Sequence, residues 1–266
     1  MTASAQLIVT PNNNANTLAG SLIGSGITIV PGSATYTGAA AASGTFTGGT
    51  GAGIGINSGI LLTSGAAIGA TGPNTSGGNG VNNGAPGDAQ LTALAGQTTF
   101  NAAVLTFDFT TSGGDLFFSF VFGSEEYNEF VGSFNDVFAF FVDGMNIALV
   151  PGTMTPVAIN TINLGSNPSL YNNNDAAAGS PFNVQYDGFT TVLTAQALGL
   201  GAGTHTIKIA IADAGDGILD SGVFIQGGSF TDAPVNGVPE TGSTLIFLSV
   251  AIGGMVAARR KMALAR

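Results

Sequence analysis

The sequence predicts an all-β fold, a jelly-roll-like β-sandwich followed by a single C-terminal transmembrane helix. With 42 glycines, 44% hydrophobic residues and 8% charged residues, the chain is too rich in glycine for a helical fold and too apolar for disorder. Its second half contains segments that alternate between apolar and polar residues, which is the period of a half-buried strand. Residues 245–258 form an apolar run that is followed directly by Arg259, Arg260 and Lys261.

The N-terminal part of the chain predicts strands less clearly, because glycine, alanine, threonine and asparagine dominate it. We expect strands near residues 7–10, 26–30 and 60–63. One short helix is predicted over residues 88–94, with Asp88 as its N-cap. Clusters of asparagine, glycine and serine predict loops at residues 12–14, 71–87 and 172–174.

The strands of the second half are predicted by hydrophobic patterning. Alternation indicates a strand with one wet face, whereas a continuous apolar run indicates a strand that is covered on both faces. Asp143-Gly144 precedes a second apolar run at residues 146–150 and is typical of a hairpin turn. By these criteria the alternating strands are residues 105–109 and 205–211, the apolar strands are 116–122 and 137–142, and the closing strand is 223–225.

The C-terminal end predicts a membrane segment. Of the 5 lysines and arginines, all except Lys208 follow the apolar run. Positive charge collects on the cytoplasmic side of a spanning helix, so the preceding residues are expected to be exported. A buried C-terminal core helix is the alternative. The predicted parts are residues 1–6 as a signal-peptide remnant or flexible N-terminus, 7–232 as the sandwich, 233–244 as linker and sorting box, 245–258 as the membrane helix and 259–266 as a basic cytoplasmic tail.

A sorting motif stands between the predicted domain and the apolar run. Val238-Pro239-Glu240-Thr241-Gly242 is followed by the short hydrophobic segment and then by Arg259, Arg260 and Lys261. This arrangement resembles the PEP-CTERM sorting signals of Gram-negative bacteria. The resemblance implies an exosortase-type processing enzyme as a partner, and a location in the membrane, at the cell surface or outside the cell. Thr241 replaces the second proline of that motif, so the segment is also similar to the Leu-Pro-x-Thr-Gly signal of Gram-positive sortases.

Charge and cysteine content restrict the partners of the domain. Ahead of the basic tail, the chain has 15 Asp and Glu residues but only one lysine, Lys208, and no arginine. Such an acidic domain is not expected to bind nucleic acid. Cys is absent, which excludes disulfides and thiolate metal sites. Carboxylates in this excess repel one another unless cations lie among them, and this favours bound Ca²⁺.

Two acidic segments are the candidate metal site. Glu125 and Glu126 follow a predicted buried strand, and Asp136 directly precedes the next one. The second segment carries Asp213, Asp216 and Asp220 on a glycine-containing loop between two strands. This spacing is not that of an EF-hand, but Ca²⁺ accepts irregular cages of oxygen ligands. The alternative is that these acids are solvated turn residues bonded to local backbone amides.

Several motifs between residues 59 and 163 form a specific set. They are Gly59-Ile60-Leu61-Leu62-Thr63-Ser64-Gly65, Gly72-Pro73-Asn74, Ala103-Val104-Leu105-Thr106-Phe107-Asp108-Phe109, Phe120-Val121-Phe122-Gly123-Ser124-Glu125-Glu126-Tyr127, Phe134-Asn135-Asp136-Val137-Phe138-Ala139-Phe140-Phe141 and Asn160-Thr161-Ile162-Asn163. This set resembles the choice-of-anchor L domain, a bacterial extracellular module. The resemblance implies a surface-exposed, sheet-rich protein and no particular activity or catalytic residue. It departs at Phe100-Asn101, where an aspartate is expected in place of Asn101.

Three classes of function remain open from the sequence. The preferred one is a structural or interaction module of the cell surface or extracellular matrix, stabilised by Ca²⁺. A polysaccharide-binding adhesin is weakened as a hypothesis because the chain has no tryptophan and only 4 tyrosines for stacking against sugars. A glycosidase would pair Glu125 or Glu129 with Asp136 or Asp220, but no substrate groove is indicated. His205 lies on the apolar phase of its strand and is expected to be a buried structural residue.

Overall fold

The structure, a computed structural model, describes residues 6–234 and contains two antiparallel sheets. Strands and helices are numbered here along the chain. The strands of the larger sheet are β1 (Ile8–Pro11), β4 (Ser43–Thr47), β5 (Gly59–Thr63), β7 (Leu116–Ser124), β10 (Tyr171–Asn173), β11 (Gly188–Thr190), β12 (Leu193–Ala197) and β14 (Ser221–Gln226). The strands of the smaller sheet are β2 (Ile27–Ile29), β3 (Thr35–Thr37), β6 (Thr99–Thr111), β8 (Val137–Val142), β9 (Met145–Asn146) and β13 (His205–Ala214).

The two sheets have the strands with the strongest hydrophobic pattern at their centres. The larger sheet runs in the order β1-β4-β5-β14-β7-β11-β10, and β12 also pairs with β7. The smaller sheet runs β2-β6-β13-β8-β9, and β3 also pairs with β6. The predicted all-β sandwich is confirmed, and the predicted strands 105–109, 116–122, 137–142, 205–211 and 223–225 each lie within an observed strand.

The main hydrophobic core lies between the sheets and is rich in phenylalanine. Phe118 of β7 meets Phe140 of β8 with ring centroids 4.7 Å apart, and Phe122 stacks on Phe138 at 5.0 Å. Both outer faces are covered as well. Val121 belongs to a second core outside the larger sheet, and Leu91 to a third one outside the smaller sheet. This double coverage explains why β7 and β8 are apolar along their whole length.

The described part of the chain also contains three short α-helices, α1 (Ala15–Leu22), α2 (Gly49–Ala52) and α3 (Ala89–Ala95), and three 3-10 turns at Ala67–Ala70, Pro168–Leu170 and Ala176–Ala178. Helix α3 is the predicted one, and an Asp88 Oδ1 atom accepts hydrogen bonds from the N–H groups of Gln90 and Leu91. Helix α1 was not predicted. Its N-cap is Asn14, at the end of a correctly predicted loop.

Two sequence-based predictions need correction. Residues 172–174 were predicted as a loop, but Asn172 and Asn173 belong to β10, since antiparallel pairing with β11 satisfies their backbone. The hairpin at Asp143 and Gly144 is confirmed, with φ of 48° and 84°, the left-handed conformations that such a turn requires. Its second strand is β9, which ends at Asn146 and is shorter than the predicted run.

The predicted anchor and sorting residues lie outside the described residues. This applies to Pro239, Glu240 and Thr241, to residues 245–258, and to Arg259, Arg260 and Lys261. Residues 1–5 are likewise not described. Within residues 6–234, none of the helices combines the length and the hydrophobicity that a membrane span needs.

Candidate functional site

Strand register brings the two predicted acidic segments together at one end of the sandwich. Ser221 at the start of β14 pairs with Ser124 at the end of β7. In the other sheet, Val137 at the start of β8 pairs with Ala212 near the end of β13. The acids that follow or precede these strand ends are therefore neighbours in space. From the sequence, Glu125, Glu126 and Asp136 belong to one acidic segment and residues 213–220 to another, and the strand register brings the two segments together.

The two glutamates that follow β7 have different acidic neighbours. β7 itself alternates between the cores up to Ser124, with Val121 outside the larger sheet and Phe122 between the sheets. Beyond its end, Glu126 is close to Asp213 and Asp216, and Glu125 is close to Asp187 and Asp220. We call Glu126, Asp136, Asp213 and Asp216 the first carboxylate group. Glu125, Asp187 and Asp220 form the second carboxylate group.

Within the first carboxylate group, Asp136 joins three strands. Its Oδ1 accepts the N–H of Ala214 at 2.8 Å and its Oδ2 accepts the Ser221 hydroxyl at 2.7 Å. Because both oxygens are bonded and the residue is 1% exposed, Asp136 acts as a buried brace between β8, β13 and β14. Asp216 is half-buried and accepts the N–H of Ile218 at 3.1 Å.

The other two acids of the first group are incompletely bonded. Asp213 Oδ2 accepts from the Asn101 amide at 2.9 Å, but Asp213 Oδ1 has no hydrogen-bond partner. Glu126 Oε2 has none either, and both residues are 1% exposed. Asn101 stands where the family resemblance suggests an aspartate, and its nitrogen faces Asp213 while its oxygen accepts the Ala85 N–H at 3.1 Å. The amide thus donates to a carboxylate that an aspartate would repel.

In the second carboxylate group, Glu125 is the least satisfied acid of the site. It is 1% exposed, and neither of its oxygens has a hydrogen-bond partner. Asp187 Oδ1 accepts from the Asn74 amide at 2.6 Å, but its Oδ2 has no partner. Asp220 is bonded through both oxygens, to the N–H of Val81 at 2.8 Å and that of Ala66 at 3.3 Å.

Burial raises the pKa of the carboxyl groups of Glu125, Glu126, Asp136, Asp187, Asp213 and Asp220, since the charged form loses its hydration. Burial is the largest cause for each of them, and neighbouring carboxylates raise the pKa of Glu125, Glu126, Asp136, Asp187 and Asp213 further. The pKa rises to about 9 for Glu125, about 8 for Glu126, about 7 for Asp213 and about 6 for Asp187 and Asp220, and that of Asp136 rises well above its usual value.

No basic side chain of residues 6–234 lies near the two carboxylate groups. Lys208 is the single lysine or arginine of these residues, and it donates to Asp88 at 2.6 Å and to Gln90 at 2.9 Å. His205 lies at the opposite end of β13 and contacts Asp143 at 2.7 Å. Five buried carboxylate oxygens, on Glu125, Glu126, Asp187 and Asp213, are left without any donor. A buried charge in that state is costly, so protons or external cations must neutralise them.

The long loop at residues 71–87 was predicted from its glycines and asparagines, and it covers the acidic end. Besides Asn74 and Val81, Asn83 holds it in place by donating to the Gly65 carbonyl at 2.8 Å. Gly65 itself has no room for a side chain, because a Cβ there would lie 1.6 Å from an Asp220 oxygen. The loop conformation and the carboxylates therefore depend on each other.

Sequence reasoning missed Asp187 and the amides that surround it. Asp187 is followed by Gly188 and is the single acid between Asp175 and Asp213, so it gave no cluster to recognise. Among residues 6–234, no three Asp, Glu or His side chains are arranged to hold a metal as they stand. A cation here would need neutral amide and carbonyl oxygens as well as carboxylates, and Ca²⁺ accepts both.

Comparison with known proteins identifies the fold family. Curated proteins and solved structures show no significant match to the chain. The family model described as the choice-of-anchor L domain matches residues 8–231, from the first strand to the end of the described sandwich. The chain therefore belongs to the choice-of-anchor L domain family and is a cell-surface-associated protein.

Proposed function

We propose that this chain is an exported structural and interaction protein of the cell surface or extracellular matrix, with Ca²⁺ locking the acidic end of its sandwich. The ion would lie at the first carboxylate group, between the unpartnered oxygens of Glu126 and Asp213, with Asp216 at its edge. The observation that carries the proposal is the set of five buried carboxylate oxygens without donors. With Lys208 held by Asp88, residues 6–234 offer them no lysine or arginine.

A Ca²⁺ titration of thermal stability tests this proposal. Binding to the folded state alone raises its stability by linkage, by about 2.7 kcal/mol when free Ca²⁺ is 100 times Kd. For a domain of this size the melting temperature should rise by roughly 5–10 °C. The measurement is calorimetry of the purified full chain with Ca²⁺, and again after chelation.

The controls separate specific binding from general screening of charge. Mg²⁺ at the same concentration should give a smaller rise, because it demands a regular octahedral cage. Asp213→Asn should remove the part of the response that this ion causes, since the substitution keeps the side-chain shape but removes the charge of a residue with an unpartnered oxygen. An identical melting temperature with Ca²⁺ and after chelation contradicts the proposal.

We further propose that the C-terminal segment is a sorting signal and membrane anchor. Pro239, Glu240 and Thr241 would be recognised by an exosortase-type enzyme, residues 245–258 would span the membrane, and Arg259, Arg260 and Lys261 would stay in the cytoplasm. Support comes from the sequence pattern together with membership of a surface-associated family. Mass spectrometry of the mature protein from its own host tests this, and a species that still ends at Arg266 overturns processing.

Polysaccharide binding and glycoside hydrolysis remain second to the structural role. Three of the four tyrosines, Tyr127, Tyr171 and Tyr186, are buried at 0%, 8% and 2% exposure, so their rings are not free to stack on sugars. Glu125 and Asp136 are each 1% exposed, which keeps their oxygens away from any substrate. Binding on a glycan array would restore the adhesin hypothesis.

A further inference from the structure

We propose that the acidic end holds a second Ca²⁺ ion, between Glu125 and Asp187, apart from the ion at Glu126 and Asp213. This inference rests on the proposed function, since it uses the same cation and the same end of the sandwich. Asp187 was not part of the predicted metal site. The second pocket would include residues of β7, of the segment before β11 and of the loop at residues 71–87.

The two pockets differ in the sheet that supplies the acid facing each glutamate. Asp187 directly precedes Gly188, which pairs with Ser124 in the larger sheet, whereas Asp213 lies in β13 of the smaller sheet. Glu125 and Glu126 follow Ser124, after the end of β7. Asp187 and Asp220 act on Glu125, Asp213 and Asp216 act on Glu126, and Asp220 also acts on Asp213.

Each pocket contains one pair of incompletely bonded acids. In the second pocket, both Glu125 oxygens and Asp187 Oδ2 are buried without a hydrogen-bond partner. Asp187 lies close enough to Glu125 to raise its pKa. Both residues are 1% exposed, so water does not replace the missing donors. Two carboxylates that face each other in this way create a place for one cation.

Neutral oxygens that could complete a cage surround the pair. Gln185 Oε1 accepts only long bonds, at 3.4 Å from the N–H and hydroxyl of Thr75, so its oxygen is weakly engaged. The nitrogen of the same amide donates to Asn74 Oδ1 at 3.1 Å. Gly77 lies beside the free Asp187 oxygen, where a Cβ would stand 3.3 Å from it. Two acids, amide oxygens and nearby backbone are the mixed set of ligands that Ca²⁺ accepts.

A proton shared between Glu125 and Asp187 is the competing explanation. A shared proton satisfies one pair of oxygens and leaves the third unbonded oxygen of this pocket without a donor. It also predicts no uptake of metal at this position. The two explanations therefore differ in how many Ca²⁺ ions each chain binds.

Equilibrium dialysis of the full chain against Ca²⁺, followed by elemental analysis, counts the bound ions. We expect two per chain in the wild type and one in Asp187→Asn, which keeps the side-chain shape. Glu125→Gln should also bind one, and it provides an independent variant if Asp187→Asn does not fold. The matched control is Asp108→Asn, which removes one negative charge beside Thr206 at the start of β13, away from the acidic end, and should still bind two.

The possible results are distinct. One ion in the wild type, lost in Asp213→Asn and kept in Asp187→Asn, overturns the second pocket and leaves the proposed function standing. No bound ion in the wild type overturns both. Two ions in folded Asp187→Asn and in folded Glu125→Gln also overturn the second pocket, because these residues are its two charged ligands.

Discussion

At the end of the sandwich where β13 begins, Asp143 contacts His205, and further along the same strand Lys208 contacts Asp88. Where β13 ends, Glu125, Glu126 and their neighbours crowd together with no lysine or arginine of residues 6–234 among them. Asp143 and Asp88, which have basic partners, are partly exposed, whereas Glu125, Glu126, Asp187 and Asp213 are buried without one. Because the acidic end has no basic partners within residues 6–234, its negative charge must be neutralised by protons or cations from the solution.

The largest expected effect is the pH dependence of the Ca²⁺-free protein. Buried carboxyls such as Glu125, with a pKa of about 9, bind more protons when folded than when unfolded, where the value is about 4. Stability should therefore fall as pH rises from about 4 to about 9. Melting temperatures of metal-free protein across this range provide the measurement.

Saturating Ca²⁺ should reverse that trend, because ligands must lose their protons before they bind a metal. The stabilisation by Ca²⁺ should then grow as pH rises through the same window. A metal-free protein whose melting temperature rises from pH 5 to pH 8 would show that the acids are already compensated within the fold.

The next effect is loss of the buried brace at Asp136. Asp136→Ala leaves the Ser221 hydroxyl and the Ala214 N–H without their acceptor in a buried place. We expect a loss of about 2–4 kcal/mol in the free energy of unfolding, since an unsatisfied buried group costs about 1–3 kcal/mol. Urea denaturation in Ca²⁺ measures it. Asp108→Ala, which removes one hydrogen bond to Thr206, should cost about 1 kcal/mol and serves as the comparison.

The sequence predicted the acidic end better than its internal arrangement. Apolar runs located β7 and β8 together with the acids next to them, whereas the contact of these acids with residues 213–220 follows from strand pairing that no sequence pattern predicted. Strands such as β4 and β12 were missed, because their short stretches of serine, threonine and alanine become strands only through pairing with stronger neighbours. The contact of Glu125 with Asp187 was equally hidden. This contact depends on where the segment before β11 lies in the fold, and no local sequence pattern predicts that position.

A smaller effect is expected at Asn101, where the family resemblance suggests aspartate. In Asn101→Asp a carboxylate replaces the amide that donates to Asp213, so Ca²⁺-free protein should lose about 1–3 kcal/mol of stability. With Ca²⁺, the same carboxylate becomes a further ligand, and the rise in melting temperature should exceed that of the wild type. Calorimetry of the variant and the wild type, each with and without Ca²⁺, measures both the loss of stability and the larger rise in melting temperature. A destabilisation that Ca²⁺ does not relieve would place Asn101 outside the metal site.

The smallest effect is expected at the end of the sandwich where Asp143 contacts His205. Burial alone would raise the pKa of Asp143, but hydrogen bonds from His205 and from the Thr206 N–H lower it overall. Asp143→Asn removes the charge, keeps an oxygen for the Thr206 N–H, and tolerates the left-handed φ of 48°. Because the Asp143 side chain is 49% exposed, the loss should be about 0–1 kcal/mol and should shrink in high salt. This variant should keep the full response to Ca²⁺ in calorimetry. A reduced response would mean that the two ends of β13 are coupled, and the contrast between them would no longer hold.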